Sequence, residues 1–200
     1  MTRTCVLWMV VSVDGYINGP GGEFIGPQWS ADLDAWASEV AARFDTLLYG
    51  RAAWESMAGY WPGAETDPAT PQAARDLARF MNGAREIVFT RTLQEASRWG
   101  HSEIADAEVA TIVAREKHKP GRDIGIFPGA RFAQTALAAG VVDELALLVI
   151  PELFGHGTRL LEGHALRRRL TLTETRVMDT GAVLTRYRVN PPSFGEVAPI

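Results

Sequence analysis

TLLYGRAAWESM, Thr46 to Met57, joins a short apolar run to a glycine, an arginine and a stretch spaced for a helix. It reads as a buried strand over 46–49, a turn at Gly50 and a helix from 51 to 57. DIGIFPGARFAQTAL, Asp123 to Leu137, repeats the plan: a strand over 123–127, a turn at Pro128-Gly129-Ala130 and a helix over 131–139 that Gly140 stops. Strands that feed helices through small residues predict parallel pairing with crossover helices. The free amides and positive dipole end at the start of each helix suit a phosphate. Arg51 adds a fixed charge with fork geometry. In an open sheet of this kind ligands bind at the carboxyl ends of the strands.

The flanking sequence extends the pattern. The apolar run over 5–13, closed by Asp14-Gly15, has the look of a strand buried on both faces. NGPGG at 18–22 and the segment to Pro27 read as a loop. Ser30 is placed to cap a helix over ADLDAWASEVAARF, in which Leu33, Trp36, Ala37, Val40 and Phe44 share one face. Residues 58–71, with three prolines and two glycines, predict an irregular surface loop, and 71–81 predict a helix ended by Asn82-Gly83. A strand over 86–90 and a helix over 107–117 follow. After Gly140 the pattern turns to strands, over 144–150, 170–177 and 182–189, with a hairpin signal at Thr180-Gly181. The prediction is an α/β fold in one domain, residues 1–200: a mixed, mostly parallel sheet with helices on both faces and a C-terminal antiparallel hairpin.

Composition narrows the function. The chain has 200 residues, 46% hydrophobic and 22% charged, which predicts a packed globular core. Twenty basic against 24 acidic residues give a net charge of −4, which argues against a nucleic-acid or membrane surface. No stretch nears the roughly 20 apolar residues of a membrane span. The one cysteine, Cys5, excludes an intrachain disulfide and fits the reducing cytoplasm. The four histidines, 101, 118, 156 and 164, have no HxxxH or HExxH spacing, and no GxSxG is present, so neither a metal centre nor a serine nucleophile is expected.

Further residues carry possible chemistry. Thr90 and Arg91, just past a strand end, suit the adenosine-side phosphate that separates NADP from NAD. Asp32 and Asp34 open the first helix; one favours the helix dipole, and the other is a candidate to point inward and bind a nitrogen-rich ring. Trp29 and Trp61, both predicted in loops, are candidates to flank a flat heterocycle.

The order VVSVDGYING, LLYGRAAWESM, IVFTRTL, IFPGARFAQTAL and VVDELALLVIPELFGHGTRLLEG resembles the dihydrofolate reductase-like superfamily over essentially the whole chain. Within it the chain most resembles the reductase domain of the bacterial bifunctional riboflavin-biosynthesis deaminase-reductase. The resemblance implies NADPH across the carboxyl strand ends. Gly50, Arg51 and Ala52 would meet its phosphates from one side, and Gly129, Ala130, Arg131 and Phe132 from the other. Thr90 and Arg91 would lie near the adenosine and its 2′-phosphate, and Val11, Ile17 and Asn18 near the nicotinamide. Either Asp32 or Asp34 would take the place of the catalytic, substrate-orienting carboxylate. The implied activity is NADPH-dependent reduction of a small heterocyclic substrate in the cytoplasm, nearest to 5-amino-6-(5-phosphoribosylamino)uracil reductase, by a homodimer that strand 145–150 helps to build. Dihydrofolate reductase activity is the alternative within enzymes. A nucleotide-binding protein without catalysis is the alternative outside them, because Pro128 stands where the family has a second glycine and lacks an amide hydrogen.

Overall fold

The computed structural model describes residues 2–96, 98–127, 129–162 and 167–191. Its strands are β1 (Cys5–Ser12), β2 (Phe44–Gly50), β3 (Arg85–Phe89), β4 (His101–Ile104), β5 (Asp123–Ile126), β6 (Glu144–Ile150), β7 (Leu170–Val177) and β8 (Val183–Val189). They form one sheet in the order β4-β3-β2-β5-β1-β6-β8-β7. Pairing is parallel from β4 through to β6, and β8 runs antiparallel to both β6 and β7. The expected mixed sheet with a C-terminal antiparallel pair is therefore present, and Gly181 (φ +81°) makes the turn before β8.

Among the described residues, five helices cover the sheet: α1 (Ala31–Arg43), α2 (Arg51–Thr66), α3 (Gln72–Gly83), α4 (Val109–Lys117) and α5 (Ala130–Ala138). Strand β1 shows why both faces are needed. Its odd-numbered residues Cys5, Leu7, Met9 and Val11 pack with α4 and α5, while Val6, Trp8 and Val10 pack with α1, α2 and α3. Successive side chains of a strand point to opposite faces, so an uninterrupted apolar run demands cover on each. Ser30 caps α1 as expected, its hydroxyl accepting from the Leu33 amide at 3.2 Å. In the centre, Phe127 turns back over Gly125, where a side chain would meet the ring at 2.7 Å, and stacks on Trp8 with centroids 5.0 Å apart.

Two segments depart from expectation. Residues 58–66 continue α2 instead of forming a loop. Pro62 lacks the N–H that would reach the Ala58 carbonyl, but Ala58 and Ala64 are buried. Asn82, near the end of α3, also donates to the Trp61 carbonyl at 3.2 Å and to Glu65 Oε2 at 2.6 Å. Packing against α3 overrides the local signal. The second departure is β4, four mostly polar residues (HSEI) at the sheet edge. Only its parallel pairing with β3 makes it a strand.

Candidate active site

Parallel strands end on one edge, and a cleft of about 910 Å³ opens along it. Its walls follow the sheet order. Ala105, Ala107, Glu108 and Val109 follow β4; Phe89 to Thr92 come from the end of β3; Gly50 to Ala53, with Ser56 and Met57, span the start of α2. Gly129 to Phe132 and Thr135 belong to the start of α5, Ile17, Asn18, Gly22 and Phe24 follow β1, and Thr158 comes from the segment after β6.

The two strand-turn-helix units meet here. A side chain on Gly50 would stand 3.0 Å from the Cβ of Phe132, and one on Gly129 would stand 3.3 Å from Ala53. Gly129 also has φ +140°, a region that only glycine enters without strain. Phe132 stacks on Phe89 with ring centroids 4.7 Å apart, and both line the cleft. Neither Gly50 nor Gly129 gives its helix a side-chain cap, so the first amides of α2 and α5 have no capping side chain and can receive an anion. Arg51 is half exposed, 3.8 Å from Glu55. Among the described residues, Arg91 and Arg131 line the cleft with no carboxylate in ion-pair range.

The start of α2 is held from below. Trp54 Nε1 donates to Ser102 Oγ at 2.8 Å, and that oxygen lies 2.6 Å from Glu86 Oε2 and 2.5 Å from the Trp99 carbonyl oxygen. A hydroxyl has one proton to give, and both remaining neighbours are acceptors unless Glu86 is protonated. Glu86 is fully buried. Burial pushes its carboxyl up to about 8, against the bond from Ser102.

The other end of the cleft is tied by backbone. Ile17 N donates to the Thr158 carbonyl at 2.9 Å, and Thr158 N donates to Asn18 Oδ1 at 2.8 Å. Asp14 accepts from the Ser12 hydroxyl at 2.6 Å and from the amides of Gly155 (2.8 Å) and Phe154 (3.1 Å). These bonds, that of Ser12 first, hold its carboxyl down to about 2.

Of the residues singled out from sequence, Ile17, Asn18, Gly50, Arg51, Ala52, Thr90, Arg91, Gly129, Ala130, Arg131 and Phe132 all line this cleft. Val11 does not: strand alternation turns it into the core beside α5. Asp32 and Asp34 do not line it either, and neither turns inward. They flank Leu33, whose side of α1 is the buried one, so helical geometry swings both into solvent. Asp32 instead accepts from the Asp179 amide at 2.8 Å. Trp61 sits on α2 and not in a loop, and Trp29 lies in the 13–30 segment away from the lining. Pro128, like His164, lies outside the described residues.

Sequence reading missed Phe24, Ser56, Met57, Glu108 and Thr158. An apolar ring in a glycine-rich loop was a usable signal for Phe24. Glu108 was hidden because β4, which delivers it, has no strand signature.

Residues 3–184 match the family model of the RibD C-terminal domain. The uncharacterized protein YyaP of Bacillus subtilis (strain 168) is 29% identical over 189 residues, covering 94% of this chain and 96% of its own. A diaminohydroxyphosphoribosylaminopyrimidine deaminase/5-amino-6-(5-phosphoribosylamino)uracil reductase of Thermotoga maritima shares the fold with a TM-score of 0.64 at 15% identity, matching 94% of this chain and 57% of its own. Dihydrofolate reductase of Enterococcus faecalis, solved with NADP(H), does so with a TM-score of 0.59 at 19% identity over 94% of this chain and 97% of its own. With nearly its whole length matched, this chain belongs to the reductase-type family of the RibD C-terminal domain, and it has the dihydrofolate reductase-like fold.

Proposed function

We propose that the protein is an NADPH-dependent reductase of a small heterocyclic substrate. One observation carries the reading: two helix starts without side-chain caps converge on a single cleft with three arginines. That donor set fits a dinucleotide. The amides of Arg51 and Ala52 would hold its pyrophosphate from one side, and those of Ala130 and Arg131 from the other. Thr90 and Arg91 would take the 2′-phosphate. When bound, the nicotinamide supplies a hydride for the carbon of a C=N or C=O bond, and solvent supplies the proton for the heteroatom. The protein's part is to hold both partners face to face and to keep water from between them. Asp32 and Asp34 face solvent and take no part in this step.

The nearest named activity is that of the Thermotoga protein, a 5-amino-6-(5-phosphoribosylamino)uracil reductase. The buried, single Cys5 supports a place in the reducing cytoplasm. The homodimer would be built at the end of the sheet that carries β6, where, among the described residues, β7 is the edge strand and exposes Leu170, Leu172 and Val177. Sedimentation of Leu172→Glu against the unaltered chain tests that surface.

Titration with NADPH and with NADH, followed by tryptophan fluorescence, tests the function. Saturable binding with NADPH about tenfold or more tighter than NADH is expected. No binding at millimolar NADPH overturns the reading.

A further inference from the structure

We infer that the substrate end of the cleft takes an uncharged planar ring bearing no phosphate or other anionic group. This rests on assigning the opposite end to the dinucleotide. The sheet order acts as a ruler along the cleft, running β4, β3, β2, β5, β1 and β6. Every charged side chain in the lining follows one of the first four strands: Glu108 after β4, Arg91 after β3, Arg51 after β2 and Arg131 after β5. Beyond β5 the lining becomes Ile17, Asn18, Gly22, Phe24 and Thr158, with no charged side chain among the described residues.

What those residues offer is specific. Asn18 Oδ1 is taken by the Thr158 amide, which leaves its neutral NH2 as a donor, beside the Thr158 hydroxyl. The ring of Phe24 is 60% exposed at the cleft wall, an open apolar face for a flat ring to cover. The nearest cation along the chain is Arg159, and its guanidinium lies over the ring of Tyr16, 4.8 Å from the centroid, outside the lining. A phosphate brought to this end would lose water and meet no charged side chain of the lining to replace it, with Arg159 held over Tyr16. A neutral heterocycle would meet two hydrogen-bonding groups and two apolar surfaces. Such an end differs from one built for a substrate that carries a phosphoribosyl group.

Riboflavin and FMN test it, since they share one planar ring and differ by a phosphate. Each is titrated against protein saturated with NADP+, so that the arginine end is filled, with flavin fluorescence as the readout. Riboflavin is expected to bind about tenfold or more tighter than FMN. Equal or tighter FMN binding overturns the inference while leaving the dinucleotide reading intact, and so does the absence of binding by either flavin. Failure of NADP+ itself to bind, measured first, overturns both. Phe24→Arg places a cation at the exposed wall and should raise FMN affinity several-fold relative to riboflavin. An unchanged ratio would remove Phe24 from the substrate end and overturn the inference.

Discussion

Gly50 and Phe132 approach so closely that a Cβ on the glycine would stand 3.0 Å from the Cβ of the phenylalanine. The turn into α2 and the turn into α5 therefore touch, although more than seventy residues separate them in the chain, and their uncapped helix starts open onto one cleft. That contact sets the width of the proposed phosphate site.

Gly50→Ala should force the turns apart. Its φ of −78° suits any residue, so the effect is purely one of space. We expect a loss of about 1–2 kcal/mol in urea unfolding, typical of mild overpacking, together with weaker NADPH binding. Retention of full affinity would show that the spacing of the two turns does not matter to the ligand.

Arg51→Ala should separate binding from stability. The side chain is half exposed and its contact with Glu55 is long, at 3.8 Å, so unfolding should change by no more than about 0.5 kcal/mol. Affinity for NADPH, measured by fluorescence, should fall about tenfold or more, because a charged hydrogen bond to phosphate is worth about 1.5–3 kcal/mol. The loss should shrink as salt is added.

Glu86 gives a pH signature. Its carboxyl is pushed up to about 8 in the fold, from 4.5. Between those values the unfolded chain ionises while the folded one keeps its proton, so stability falls as pH rises, by at most about 1.4 kcal/mol per pH unit from this group. Below pH 4.5 the effect is absent, and above 8 it is complete. Glu86→Gln removes it. The variant should gain on the unaltered protein between pH 5 and pH 8 in paired urea melts, and a constant difference would show that Glu86 is ionised in the fold.

Asp14 ties the end of β1 to residues 154 and 155. With its carboxyl held down to about 2, the tie is complete above the ordinary value of 3.8 and is lost only as pH falls through about 2. Asp14→Ala should speed amide hydrogen exchange at Phe154 and Gly155 while leaving the centre of β1 protected. Unchanged exchange at both amides would mean that the backbone bonds around Thr158 hold the segment without it.

Much of the fold could be read directly. The apolar run of β1, the serine cap of α1 and the two strand-glycine-helix units are local signals, and local sterics and backbone hydrogen bonding enforce them wherever they occur. The two strand-glycine-helix units pointed to Gly50, Arg51, Gly129 and Ala130, because the start of a helix after a parallel strand lies at the carboxyl edge, and the end of β3 pointed to Thr90 and Arg91; the family resemblance added Ile17, Asn18, Ala52, Arg131 and Phe132, and all eleven line the cleft.

Tertiary structure decided the rest. Residues 58–66 became helix because the fold buries Ala58 and Ala64 and Asn82 of α3 bonds Trp61 and Glu65, and HSEI became a strand because β3 presents an open edge. The direction of a side chain depends on what packs against its neighbours: the burial of Leu33 turned Asp32 and Asp34 away from the cleft, and strand alternation sank Val11 into the core. The sequence by itself determined most of the elements and marked helix starts suited to an anion, since those follow from contacts between near neighbours in the chain. Only the folded sheet decided that, among the described residues, every lining charge falls on one side of β1 and none beyond it, since that order arises from strand pairing between residues far apart in sequence.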